Sequence, residues 1–377
     1  MGFQFILPTR ILFGQGSINQ FGLAIKETGI KPLIITGINS FRNTGLQDRV
    51  KTILENENIE FVIFDRVKPE PDTEIVDEGI KVFKENRCDT VVAIGGGSVI
   101  DVGKSIAGLA PVIGDNKTAE YLEVDGIKKI VSPGICFISV PTISGTGAEI
   151  TNNAVLINQK TKIKRSIRSK YLFPNTAIID PELTLKVSPE LTSISGIDCF
   201  THLIEGFISL NANPMTDIFA IEGINLVYKS LIRAIKDGNN IDVRTDIALA
   251  SLYGGIVIVN SGLGLVHGLA SVIGPKYNIS HGLSCALVLS KVLEYNFEVL
   301  DNSKKEILKH IFDTDDIIWG INNFIAQLGL DLNIKRFKMT EKDILEIVDK
   351  TLTSSSAKKN PRKISRSELI KILGKEL

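Results

Sequence analysis

Cysteine, histidine and tryptophan are scarce in this chain of 377 residues, and neither sign of charge is in excess. The four cysteines, Cys88, Cys136, Cys199 and Cys285, are widely spaced and form no CxxC pair. That excludes a disulfide framework and a thiolate zinc knuckle, and a reducing cytoplasm fits. Lys plus Arg and Asp plus Glu stand at 43 each. No broad field attracts nucleic acid or anionic membrane, so neither partner is expected and an acidic ligand has to be held locally. The opening MGFQFILPTRILFG lacks the basic region and long apolar core of a secretory signal, which also points to the cytoplasm. Leu252 to Pro275 is uncharged and long enough to span a bilayer, but glycines, Asn260, Ser261, His267 and Ser271 interrupt it. It reads as a buried helix pair around a polar site, because a core helix is also apolar all round.

What the chain does contain is an alternation of short β-branched runs with segments of helical period. Leu33–Thr36, Phe61–Phe64, Thr90–Ile94, Cys136–Val140 and Ala177–Ile179 read as buried strands. Leu46–Glu57, Thr73–Glu85 and Ser98–Leu109 read as the helices between them. This order predicts a mainly parallel, doubly wound sheet. Beyond Asp180-Pro181-Glu182-Leu183-Thr184 the strand signals stop and amphipathic helical patterns take over. Two domains are therefore expected, an α/β domain over 1–184 and an all-α domain over 185–377.

Two stretches carry chemistry. Val91-Val92-Ala93-Ile94 runs into Gly95-Gly96-Gly97-Ser98 and a helix with Asp101 and Lys104. Glycines at a strand-to-helix turn let backbone N–H groups face a diphosphate, and Ser98 is a natural N-cap. The turn is not GxGxxG and follows the third strand rather than the first. A second turn, Pro141 to Glu149, follows another buried strand and offers hydroxyls to the same crevice. In the helical half, Asp198 and His202 are four apart and share a helix face, with His267 and His281 further along in apolar surroundings. One carboxylate with three imidazoles suits Fe(II), Zn(II), Ni(II) or Mn(II).

These stretches resemble the iron-containing, group III alcohol dehydrogenase family over essentially the whole chain. Pro8 to Gly14 is similar to the family's first strand, and Pro69-Glu70-Pro71 to a loop whose middle residue is commonly Asn. GGGSVIDVGK at 95–104 and PTISGTGAE at 141–149 are similar to its two cofactor turns. Ser195 to Gly206 resembles its TGxDAxxHxxE segment, and GLGLVHGLASVIGPKYNISHG at 262–282 its paired-histidine segment.

The resemblance implies a Rossmann-like domain plus a helical domain, the dehydroquinate synthase-like architecture, with the active site between them, usually in a homodimer. It implies hydride transfer between a nicotinamide cofactor and an alcohol or its aldehyde or ketone. Asp198, His202, His267 and His281 become ligands to Fe2+, or to Zn2+ or another divalent ion, and His267, His281 and Ser271 the residues at the reacting centre. Gly97, Ser98, Thr142, Thr146, Asn153 and Lys164 are placed around the dinucleotide, joined by Gly96, Asp101 and Leu183. Two positions depart from the pattern. Ser271 stands where many relatives have a second, proton-relaying histidine, and serine does not change charge near neutral pH. Gly37 stands where relatives that use NAD often have Asp. With Gly37, Asn39 and Ser40 at that strand end and Arg42 nearby, a ribose 2′-phosphate meets no repelling carboxylate, so NADP is expected over NAD. A glycerol dehydrogenase-like or maleylacetate reductase-like relative, or a catalytically silent metal or nucleotide sensor, is the alternative.

Overall fold

The computed structural model describes residues 2–374, the side chains of Ser40 and Ile334 excepted. The chain divides into two compact units, Leu7–Lys186 and Val187–Leu377 with Met1–Ile6.

The first unit contains strands β1 (Arg10–Phe13), β2 (Pro32–Gly37), β3 (Val62–Val67), β4 (Thr90–Gly95), β5 (Cys136–Pro141), β6 (Asn153–Asn158), β7 (Ile163–Arg168) and β8 (Thr176–Ile179). Its helices are α1 (Phe21–Lys26), α2 (Ser40–Asn43), α3 (Leu46–Asn56), α4 (Thr73–Glu85) and α5 (Gly97–Leu109). Six strands form one sheet in the order β1-β8-β5-β4-β2-β3, and every neighbouring pair is parallel. β2 and β4 are buried along their whole length, as parallel strands covered on both faces must be. Alternate residues feed two cores. Leu33, Ile35, Val91 and Ala93 pack with α4 and α5, while Ile34, Val92 and Ile94 pack with α1 and α3. The doubly wound, Rossmann-like class is the observed one.

Two local features differ from expectation. β6 and β7 form an antiparallel hairpin that the sequence does not announce, because Ile-Lys-Arg-Ser-Ile-Arg puts charged side chains on a half-exposed strand. Ser98 is not the N-cap of α5. That position is Gly96, and no side chain caps the helix. Extended backbone at Gly96 starts the helix one residue earlier and places Ser98 inside its first turn.

The second unit is helical among the described residues: α6 (Pro189–Ile208), α7 (Pro214–Lys236), α8 (Ile241–Asn260), α9 (Leu265–Tyr277), α10 (His281–Phe297), α11 (Asn302–Phe312), α12 (Ile317–Ala326), α13 (Glu341–Leu352) and α14 (Arg366–Gly374). Ser188, Asn213, Asn240 and Asp301 cap α6, α7, α8 and α11 with side-chain oxygens. No single described helix is long and apolar enough to cross a membrane. The uncharged 252–275 stretch is parts of α8 and α9, which bend by 105° and carry core residues such as Val257, Leu265 and Leu269. The N-terminal residues belong here too. Phe5 stacks on Phe219, and the Ile6 N–H donates to Asn260 Oδ1.

Candidate metal and cofactor sites

The metal-type donors gather inside the helical unit. α6 presents Asp198, His202 and Glu205 at i, i+4 and i+7 on one face, α9 brings His267, and α10 begins with His281. Asp198 Oδ1 lies 3.5 Å from His267 Nε2, 3.7 Å from His281 Nε2 and 3.8 Å from His202 Nε2. Three imidazoles thus face this buried carboxylate. His202 and His267 stack at 4.6 Å between ring centres. Asp198, His202 and His267 are buried, whereas the His281 side chain is 38% exposed and marks the open side of the cluster.

Glu205 orients the central histidine. Its Oε2 is 2.7 Å from His267 Nδ1, so the Nδ1–H donates to the carboxylate and Nε2 keeps its lone pair for the cluster. The same carboxylate accepts the Gly264 and Val266 N–H groups at 2.9 and 2.6 Å, capping α9 from a neighbouring helix. Gly264 is needed there, because a Cβ would lie 2.7 Å from Glu205 Oε1. Sequence reasoning missed Glu205 as a site residue, although its seven-residue offset from Asp198 was a readable signal. It also missed Cys285, one turn after His281. The donor atoms of Asp198, His267, His281 and Cys285 lie within 4.8 Å of one another, a group that does not include His202.

Burial raises the Asp198 carboxyl, but His202, His281 and His267 outweigh it and hold the group well below the ordinary carboxylate range. Burial opposes charge on His267, yet Cys285, Asp198 and Glu205 together raise it. Burial pushes the Cys285 thiol up to about 12, with His267 pulling the other way. A buried anion ringed by imidazoles whose one outward nitrogen is fixed by a second carboxylate fits a divalent cation. Ser271 lies apart from these contacts. It is exposed one turn beyond His267, and its hydroxyl donates to the Gly268 carbonyl of its own helix.

The α/β unit brings its two glycine turns side by side at the carboxyl ends of β4 and β5. The Thr142 N–H donates to Gly95 O, and a Cβ on Gly97 would lie 3.1 Å from the Thr146 side chain. The Gly95–Ser98 and Thr142–Thr146 turns therefore lie against each other, beside an α5 N-terminus that no side chain caps. Asp101 is engaged in holding the hairpin: it accepts the Val155 N–H at 3.0 Å and sits 3.6 Å from Lys104 Nζ. Lys104, fully buried, donates to Thr151 Oγ1 and to the Asn153 carbonyl. Burial lowers its pKa against the pull of Asp101 and Glu149. Lys164 pairs with Glu70, and Leu183 packs on the core beneath β8.

Gly37 ends β2, with Asn39 exposed just beyond it; the Ser40 side chain lies outside the described residues. A cleft of about 690 Å³ opens there, lined by Ile38, Arg42, Asp65, Arg66, Lys68 and Glu70 among others. Arg42 is not free for a ligand, because it pairs with Asp65 on β3.

The profile of the family described as iron-containing alcohol dehydrogenase matches residues 8–181, and that of its C-terminal region matches 192–377. The chain belongs to the iron-containing alcohol dehydrogenase family. Members of this family are metal-dependent, nicotinamide-linked oxidoreductases that interconvert alcohols with aldehydes or ketones, and that is the activity of this chain. It is 33% identical to alcohol dehydrogenase 4 of Schizosaccharomyces pombe, over 97% of its own length and 87% of the relative's. It is 32% identical to the 1,3-propanediol dehydrogenase of Citrobacter freundii, over 98% and 97%. The structure of the alcohol dehydrogenase from Oenococcus oeni superposes over the full length of both chains with a TM-score of 0.93 at 28% identity. Family membership accounts for the buried histidine cluster and the glycine turns together.

Proposed function

We propose that this dehydrogenase binds one divalent ion, Fe2+ with Zn2+ able to replace it, at Asp198, His202, His267 and His281, and works on short alcohols and their aldehydes with NADP(H). The observation that carries the reading is the convergence of three imidazoles on one buried carboxylate, with Glu205 holding the His267 ring. When bound, such an ion supplies Lewis acidity to an alcohol or carbonyl oxygen, and a nicotinamide ring supplies the hydride acceptor or donor. Asp198 provides the anionic charge that retains the cation, and the buried walls of α6, α9 and α10 keep bulk water from the imidazoles. His281, half exposed, stands where substrate enters, and Ser271 passes a proton towards solvent through water.

In the α/β unit, Gly96, Gly97, Ser98, Thr142 and Thr146 hold the diphosphate, with Asn153, Lys164, Asp101 and Leu183 bordering the site. Gly37, Asn39 and Ser40 border the ribose, where no carboxylate at position 37 repels a 2′-phosphate, although Arg42 and Arg66 are already paired with Asp65 and Glu78. Asp65 favours a second reading, because its carboxylate already neutralises Arg42 and can accept from a 2′-OH, so NAD(H) would also serve. The relative from C. freundii is a 1,3-propanediol dehydrogenase, which supports a small hydroxylated substrate. A cytoplasmic homodimer completes the proposal.

The test is metal analysis alongside NADPH and NADH turnover on a panel of short aldehydes, for the purified chain and for His267→Ala. One ion per chain, turnover, and loss of both in a folded variant are expected. Full activity after thorough chelation overturns the metal reading, and bound metal with no turnover favours a sensor.

A further inference from the structure

The helical unit offers the metal centre a donor that the family resemblance does not assign. Cys285 follows His281 by four residues on α10, so both side chains leave the same helix face. Its sulfur is fully buried, 3.7 Å from Asp198 Oδ1 and 4.0 Å from His267 Nε2. A core thiol ordinarily packs as a small hydrophobe. Here it faces a carboxylate and an imidazole, inside a group whose four donor atoms lie within 4.8 Å of one another. A tetrahedral ion with bonds of about 2.0–2.2 Å to nitrogen or oxygen and about 2.3 Å to sulfur spaces its donors roughly 3.3–3.7 Å apart. The separations from Asp198, 3.5 Å to His267, 3.7 Å to His281 and 3.7 Å to Cys285, fall within that range, and the 4.0 Å between Cys285 and His267 needs to close by only a few tenths of an ångström.

Resting on the metal reading above, we propose that Cys285 is a sulfur donor to the ion held by Asp198, His267 and His281. Binding exchanges the thiol proton, released to solvent, for a sulfur–metal bond, with no change in oxidation state. With His202, stacked on His267 and 3.8 Å from Asp198 Oδ1, the set then numbers five donors. A thiolate in the set favours zinc and cobalt over manganese or magnesium.

The experiment uses the full chain, stripped of metal and reloaded with cobalt(II). One cobalt per chain and a near-ultraviolet thiolate-to-cobalt charge-transfer band are expected. The band should vanish in Cys285→Ser and Cys285→Ala and persist in Cys199→Ala, since Cys199 packs in the apolar core. X-ray absorption on the unaltered zinc-loaded chain should show one sulfur at about 2.3 Å, which decides the matter even where a variant does not fold. Stoichiometric cobalt without sulfur ligation, or a band that survives Cys285→Ser, overturns this inference and leaves the metal site standing. No cobalt uptake by the unaltered chain overturns both.

Discussion

Glu205 shows how one side chain can serve a helix terminus and a reactive centre together. Its carboxylate takes two N–H groups at the start of α9 and the Nδ1–H of His267. Glu205→Gln turns one acceptor oxygen into a donor that faces other donors. Metal affinity, measured by competition with a chelator, should fall about 10- to 100-fold, and the variant should remain folded with a lowered melting point. Gly37 is the residue-scale test of cofactor choice. If the cleft beyond β2 reads the 2′ group, kcat/KM should favour NADPH by at least about tenfold, roughly 1.4 kcal/mol. Gly37→Asp should erase most of that preference by penalising NADPH. A native preference for NADH, or a ratio indifferent to the substitution, would show that Asp65 rather than position 37 governs this corner.

At the scale of elements, the β6–β7 hairpin depends on α5. Lys104 and Asp101, three residues apart on that helix, reach Thr151, Asn153 and Val155. Removing one member of a buried pair strands the other without compensation. Lys104→Ala should therefore cost about 3 kcal/mol in denaturant unfolding, towards the low end for such pairs because Asp101 keeps its backbone donor and slight exposure. The double variant Asp101→Asn/Lys104→Met should cost less than Lys104→Ala alone. A double variant that costs the sum of the two single ones would show that the residues act independently.

Across the whole molecule, metal and protons compete for the same histidine. His267 has a raised pKa in the metal-free fold, so its protonated form contributes stability that is complete below the unfolded value of about 6.5 and is lost as pH rises through the folded value. Metal affinity moves the opposite way, since ligands must shed protons. The melting point of the stripped protein should fall as pH rises above about 6.5, and the gap to the zinc-loaded protein should widen by a few degrees. Chelation should raise amide exchange in α6, α9 and α10 while leaving β2, β4 and β5 unchanged, because all the donors belong to the helical unit. Uniform change across both units would contradict that confinement.

Hydrophobic period and glycine turns by themselves determined the parallel sheet, its intervening helices and the helical second half, because those signals are local and β2, β4 and α3–α5 need no distant partner to be read. The pairing of Asp198 with His202 was equally local. Only the tertiary structure decided the rest. The hairpin was invisible because β7 is charged and half-exposed and the pair is held by Asp101 and Lys104 some fifty residues earlier. The engagement of Arg42 by Asp65 arises from the adjacency of β2 and β3, which no linear spacing between those residues announces. Glu205 meets His267, and Cys285 meets Asp198, across sixty to ninety residues of chain. Helical period can place each on a face, but only packing of α6, α9 and α10 decides which faces meet.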